Sequence, residues 1–275
     1  MRTEELIIEA GKGERHYWRD LWRYRELFLF LAWRDILVRY KQTLIGIAWA
    51  VLRPLLTMIV FTVIFGRLAK LPSEGNSPYA IMVFAAMLPW QFFANAFSEA
   101  GSSLISNASM ISKVYFPRLI VPTSTVIVSL VDLFISGVIL AALMVWYGYS
   151  PSMRILALPL FILVAFAAAW GAGLWIAALN VKYRDFRYII PFIVQFGLYV
   201  SPVGFSSSVV PEKWRILYSM NPMVGVIDGF RWAILGKQAT LYWPSLSLSI
   251  GMVTVLLITG VVYFRRTEKT FADVI

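Results

Sequence analysis

Cysteine is absent from this chain, and histidine occurs once, at His16. The first absence excludes a disulfide framework, thiol nucleophiles and thiolate metal centres. The second excludes a histidine metal cluster within one subunit. Charge is scarce too: 15% of the 275 residues are Asp, Glu, Lys or Arg, 59% are hydrophobic, and mean hydropathy is +0.71. A soluble domain carries about a quarter charged residues, so this is the composition of an integral membrane protein. No GxxxxGK[ST] loop is present to cradle phosphates and no GxSxG elbow to expose a serine nucleophile. Ser102 and Ser103 have no histidine base, and Asp20, Asp35 and Asp185 each have an arginine neighbour, which favours structural ion pairs over acid–base chemistry. Gly171-Ala172-Gly173 lacks the rest of a dinucleotide fingerprint and reads as a helix-packing notch.

What the chain does have is apolar length. Six stretches approach the roughly 20 residues that a span needs: 44–66, 79–100, 119–147, 155–179, 188–203 (short and bounded by prolines) and 243–264. The first long run begins only near Leu44, so no cleavable signal peptide is expected. The net charge of +10 is explained by orientation, not nucleic acid. About two-thirds of the Lys and Arg fall before residue 44, in the loops after spans two and four, and after span six, which the positive-inside rule makes cytoplasmic together with both termini. The expected division is 1–43, a cytoplasmic tail and interface helix, and 44–275, the membrane domain. Trp18, Leu21 and Trp22 share one helical face beside Arg15, Arg19 and Arg23, as in a helix lying in the headgroup plane. No internal repeat is visible.

The stretch 201–237 is too polar to span and too apolar for an ordinary loop, and Pro202, Pro211 and Pro222 cut it into short pieces. Broken backbone persists at membrane depth only where protein or a wet cavity satisfies it. A pair of re-entrant helices is therefore expected, assigned to 204–240. On the opposite face, Ile111, Val114, Tyr115 and Phe116, flanked by Lys113 and Arg118 and closed by Pro117, predict a short apolar helix for partner docking, or for self-packing. The intramembrane ionisable residues are Arg53, Glu99, Asp132, Asp228 and Arg231. Arg53 meets either an anionic headgroup or an acid on a neighbouring helix; Glu99 and Asp132 read as structural. Phe61, Phe65, Phe192, Phe196 and Tyr199 recur at helical spacing, as packing residues or as flat faces along which sugar rings slide.

These pieces, in order, resemble a known family. They are Trp33-Arg34-Asp35, Arg39-Tyr40-Lys41-Gln42, Leu44-Ile45-Gly46, Trp49 and Pro54, then Pro89-Trp90, then Asn107 with Lys113-Val114-Tyr115-Phe116-Pro117-Arg118 and Pro122. Asn180-Val181-Lys182-Tyr183-Arg184-Asp185, Ser201-Pro202, Pro211, Asn221-Pro222-Met223 and Arg231 complete the series. The chain is similar over nearly its whole length to the membrane subunits of bacterial ABC transporters that export polysaccharides, most like the O-antigen exporter permease.

The resemblance implies an all-α, six-span homodimeric permease of the bacterial inner membrane, with no cofactor of its own. It implies two separate ATPase subunits that bind ATP and Mg, and a polyprenyl-pyrophosphate-linked glycan as cargo. By the same resemblance, Lys113, Val114, Tyr115, Phe116 and Arg118, with Trp22 and Arg23 of the interface helix, couple to the ATPase. Arg39, Lys41, Leu44, Gly46 and Arg53 frame the lipid-substrate entrance, although Arg53 stands where a polar uncharged residue is expected. Pro211, Asn221, Pro222, Met223 and Arg231 belong to the periplasmic gate, and the aromatic stripe lines the conduit. Teichoic acid, capsule, or a small lipid or drug are alternative cargoes; a membrane enzyme modifying a lipid-linked sugar is the alternative class.

Overall fold

The computed structural model describes residues 17–41 and 46–271, and every regular element among them is helical. In chain order these are α1 (Tyr17–Arg23), α2 (Arg25–Lys41), α3 (Gly46–Phe61), α4 (Tyr79–Ser106), α5 (Ala108–Ile111), α6 (Ile120–Trp146), α7 (Leu158–Lys182), α8 (Phe186–Val200), α9 (Glu212–Tyr218), α10 (Pro222–Leu235) and α11 (Trp243–Thr267). The end of α3 widens into a π-helical segment, Thr62–Leu68.

Among the described residues, five helices are long and apolar enough to cross a membrane: Val51–Leu68, Tyr79–Ser106, Ile120–Trp146, Met153–Lys182 and Trp243–Thr270. The sixth expected span is α8, whose 15 residues reach roughly 22 Å at 1.5 Å per residue, against a hydrocarbon core of about 30 Å. The helix ends where Ser201 and Pro202 break the chain direction, at the proline boundary visible in the sequence.

α4 is the axis of the bundle. Of its apolar stretch, 89% is buried, and Ala80, Ala85, Ala86, Ala96 and Ala100 keep it thin enough for α6, α7 and α10 to pack around it. Lipid tails are as apolar as leucine, so helices in a bilayer associate through close contact and not through hydrophobic burial. The notch expected at Gly171 works in this way. A Cβ there would sit 2.7 Å from the Leu257 backbone, and one at Gly260 would strike the Gly171 carbonyl. Trp175 donates to Thr259 Oγ1 at 3.0 Å beside this crossing and stacks on Tyr263 at 4.2 Å.

Three described parts meet at one end of the bundle, the near end. The Tyr17 hydroxyl donates to Glu268 Oε2 at 2.8 Å, and the Arg265 guanidinium lies 4.3 Å from the Tyr17 ring centre. Burial, with the Glu268 carboxylate second, pushes the Tyr17 hydroxyl far above the ordinary tyrosine range, so it remains a donor. The described N- and C-terminal segments therefore share one side of the bundle.

The far end is built by α9 and α10. Asn221 caps α10 by accepting from Met223 N at 3.0 Å, with Pro222 at the first helical position. The helix stops at Gly236 with φ +61, a value that glycine adopts freely. Tyr149 and Arg154 then donate to the Leu235 and Gly236 carbonyls, both at 2.7 Å.

Gly171→Val is expected to destabilise the folded protein by about 1–3 kcal/mol through the α7–α11 clash. Thermal unfolding in detergent, followed by tryptophan fluorescence, should show a midpoint several degrees lower than that of a control substitution at Gly251, where nothing lies within 4 Å of an added Cβ.

Candidate functional site

A cavity of about 980 Å³ lies between α2, α3, α4, α6, α7 and α8. α4 supplies its floor with one helical face: Gln91, Asn95, Ser98, Ser102 and Ser106, three or four residues apart, all reach it. Met87 to Ser106 on that face spans roughly 28 Å at the α-helical rise, so the cavity runs from the near end deep into the bundle. Three arginines line it, Arg39, Arg53 and Arg187, against a single carboxylate, Asp132. Trp49, Trp90, Ile190 and Val194 make the remainder of the wall largely apolar.

The charges differ in their partners. Asp132 of α6 lies 2.9 Å from an Arg39 nitrogen and also accepts from the Tyr40 hydroxyl. Burial, then that carboxylate, pushes the Tyr40 hydroxyl well above its ordinary range, which keeps it a donor. The structural reading of Asp132 holds: it ties the end of α2 to α6. Arg53 and Arg187 are exposed to the opening and have no acid partner among the described residues. Asn180, nearly fully buried, donates to the Gly101 carbonyl at 2.7 Å and leaves its Oδ1 without a hydrogen-bond partner among the described residues. A second opening of about 500 Å³ adjoins, shares Arg39, Ser102 and Ser106, and takes in Arg34, Asp35 and Glu99.

Of the expected entrance residues, Arg39 and Arg53 line the main cavity. Lys41 ends α2 on the exposed side, Gly46 begins α3, and Leu44 lies outside the described residues. Arg187, Asp132 and the α4 stripe join them as cavity residues that sequence reasoning misses. The stripe does carry a signal, because its polar positions recur at helical spacing inside an apolar run. Arg187 carries none, since in the sequence it is one more loop charge.

None of the five aromatics lines this cavity. The rings of Phe61 and Phe65, centred 5.3 Å apart, close over Gly204, where a Cβ would meet them at 2.8 and 2.9 Å. Phe192 and Phe196 stack at 5.7 Å, and with Tyr199 they are exposed on the opposite face of α8. The stripe is thus two separate groups.

The expected docking helix is shorter than its apolar pattern suggests. α5 ends at Ile111, and residues 112–118 are non-helical, with Pro117 disfavouring a helical Phe116. The apolar set also splits. Val114 and Tyr115 are 55% and 57% exposed, whereas Phe116 is 3% exposed and belongs to a cluster with Tyr17, Leu104, Phe264 and Phe271. Arg118 donates to the Glu268 carbonyl and lies 6.0 Å from the Phe271 ring centre. Lys113 and Trp22 are exposed, as is Arg23 at the end of α1; Trp22 lies under the Arg25 guanidinium at 5.6 Å.

At the far end Pro211 precedes α9, Met223 is buried, and Asn221 donates to Ser201 Oγ at 3.0 Å. Arg231 is 0% exposed. It donates to the carbonyls of Phe205 at 2.8 Å, Val203 at 3.1 Å and Met82 at 3.4 Å, and it meets Glu74 at 3.5 Å.

Fold and cavity together define a helical integral membrane protein with an amphipathic opening in its bundle, lined by three arginines and one carboxylate. The chain belongs to the ABC-2 type transporter family, whose model matches residues 26–235; these are membrane permeases of ABC transporters. It is 26% identical to the O-antigen export system permease protein RfbA of Klebsiella pneumoniae, over 91% of this chain and 95% of that one. It is 25% identical to the protein of the same name from Myxococcus xanthus, over 93% and 97%. The capsule polysaccharide export inner-membrane protein CtrC of Neisseria meningitidis serogroup B is 25% identical over 82% and 85%.

Breaking the Arg39–Asp132 pair should loosen α2. Because the pair is partly exposed, Asp132→Asn is expected to cost only about 1–2 kcal/mol. A double-mutant cycle with Arg39→Gln, read by thermal unfolding, should give strongly non-additive effects; simple additivity would show that the two residues do not act together.

Proposed function

We propose that this chain is the membrane-spanning subunit of an ATP-driven exporter that moves lipid-linked polysaccharide of the O-antigen type out of the bacterial cytoplasm. The observation that carries this reading is the cavity. It combines anion-attracting guanidiniums, a neutral polar face of α4 and apolar walls, which suits a molecule that is at once lipid, phosphate and sugar. The relatives named for O-antigen and capsule polysaccharide export support the same cargo class.

In this reading the near end faces the cytoplasm of an inner-membrane protein and carries both termini. α8 and the broken backbone after it complete a sixth crossing, with α9 and α10 as a re-entrant pair toward the periplasm. Two copies enclose the conduit. The exposed faces of α3 and α8, with Phe192, Phe196 and Tyr199, become interior only against a second copy, where flat rings let a glycan slide. A separate ATPase, binding ATP and Mg, pushes on the exposed residues Lys113, Val114 and Tyr115 and on α1 at Trp22 and Arg23. Phe116 and Arg118 transmit that push inward, since they are anchored to the C-terminal segment. Export of capsule in place of O-antigen fits the same site.

The double substitution Val114→Asp, Tyr115→Asp should leave folding and insertion intact, because both side chains are exposed, and abolish recovery of an ATPase with the chain from native membranes. Undiminished recovery would refute the docking surface. Failure of the unaltered chain to bring down any ATPase after crosslinking, combined with turnover of a lipid-linked sugar by the chain alone, would favour the enzyme reading.

A further inference from the structure

α11 reaches from one end of the bundle to the other: its 25 residues span roughly 38 Å, and both of its ends are fastened. At the near end Phe264, in its last turn, packs on Phe271 at 5.4 Å between ring centres, and the two help to bury Phe116. The segment just beyond takes the Arg118 guanidinium on the Glu268 carbonyl and the Tyr17 hydroxyl on the Glu268 carboxylate. At the far end Ser245 and Ser249, about one turn apart on the same face, are both buried. The Ser245 hydroxyl is hydrogen-bonded at 2.7 Å to that of Ser219, just past the end of α9, and Ser249 Oγ accepts from Gly225 N of α10 at 3.0 Å. The Arg215 guanidinium of α9 lies 5.1 Å from the ring centre of Tyr242, the residue before α11.

α9 has little else to hold it. None of its seven residues is buried, and Trp214, Ile216 and Leu217 are more than half exposed. Beyond these ties and its chain links, Arg215 bonds to the Ser208 carbonyl at 3.4 Å and faces the Asp228 carboxylate of α10. α11 itself is locked to α7 by the Gly171–Gly260 crossing and to α10 at Gly225, where a Cβ would sit 3.1 Å from the Leu246 Cα. Helices that meet backbone to backbone transmit a displacement, because there is no loose side-chain layer to absorb it.

We infer that α11 joins the loop 112–118 to α9 as one mechanical unit, so that force applied at the near-end loop reaches α9 without passing through the cavity helices α3 and α8. This rests on the reading of that loop as the ATPase-facing surface and adds the route by which its movement arrives at the opposite end. Ser219, Ser245 and Tyr242 are then positioning residues for export, acting through α9. A chain of contacts is a route only when its two ends respond to one another.

Hydrogen–deuterium exchange by mass spectrometry on the full chain in nanodiscs, with no ATPase present, reads both ends at once. Phe116→Leu, which loosens the clasp, should speed amide exchange across 213–219 by about threefold or more and leave the middle of α6 unchanged. Tyr17→Phe removes one hydroxyl from the same clasp and should act in the same direction, which keeps the test open if the larger change impairs folding. Asp132→Asn, which frees α2 and spares the clasp, should leave α9 at the rate of the unaltered chain. Ser219→Ala with Ser245→Ala removes both partners of the far-end bond and leaves neither unpaired. In that background α9 should exchange faster from the start and no longer respond to Phe116→Leu.

Exchange across α9 that ignores both clasp variants, or that responds to them equally with and without the serine pair, would overturn the inference. An equal response to Asp132→Asn would reveal general loosening and overturn it as well. The assay contains no ATPase, so its outcome is independent of the partner experiment. A chain that recovers its ATPase and fails here remains an exporter whose far end is moved by another route.

Discussion

Residues 201–206 carry backbone with no helix to absorb its polar groups, and the side chain that absorbs them is Arg231. A guanidinium with no solvent exposure is costly in any protein and more so at membrane depth. Here its donors are spent on the carbonyls of Phe205, Val203 and Met82, with Glu74 supplying the countercharge. Glu74 in turn accepts from Ser206 Oγ at 3.0 Å. One cation thereby fixes the break after α8, the loop before α4 and the register of α10 at once. The short length of α8 depends on this arrangement, since a helix can stop inside the bundle only if the backbone beyond its last turn finds partners within the protein.

The same logic divides the bundle into a rigid and a less committed part. α4, α7, α10 and α11 meet through alanines and glycines at backbone distance, leaving no slack between them. α3 and α8 pack less extensively against α4 than α6 and α7 do and present apolar faces outward. The cavity lies between these two classes of helix, which is why its floor is regular and its walls come from elements with fewer fixed neighbours.

Much of this is legible from residue order. The length of apolar runs locates the five long helices, the Gly171 notch announces a close helix crossing, and three prolines announce the broken stretch around 201–222. The features that escape a sequence reading depend on partners distant in the chain. Phe116 looks like Val114 and Tyr115 in any local pattern, and only Phe271 and its neighbours, more than 150 positions away, distinguish it as buried. Arg187 is one of many basic loop residues until α8 turns it toward the cavity. Asp132 is readable as structural because an isolated acid in a span demands a cation, yet nothing local identifies Arg39 as that cation. The aromatic stripe fails as a single feature for the same reason: helical spacing assigns residues to a face but does not say what the face meets.

The clasp at the near end joins Tyr17, Arg118 and Glu268, the first, middle and last parts of the described chain. During synthesis the earlier helices insert while the residues that complete this clasp have yet to leave the ribosome, and chain growth is slow beside local folding. Phe116 and Arg118 therefore wait, without their final neighbours, until α11 has been made. The surface around Val114 and Tyr115 therefore takes its shape only once α11 and the segment that follows it have been made.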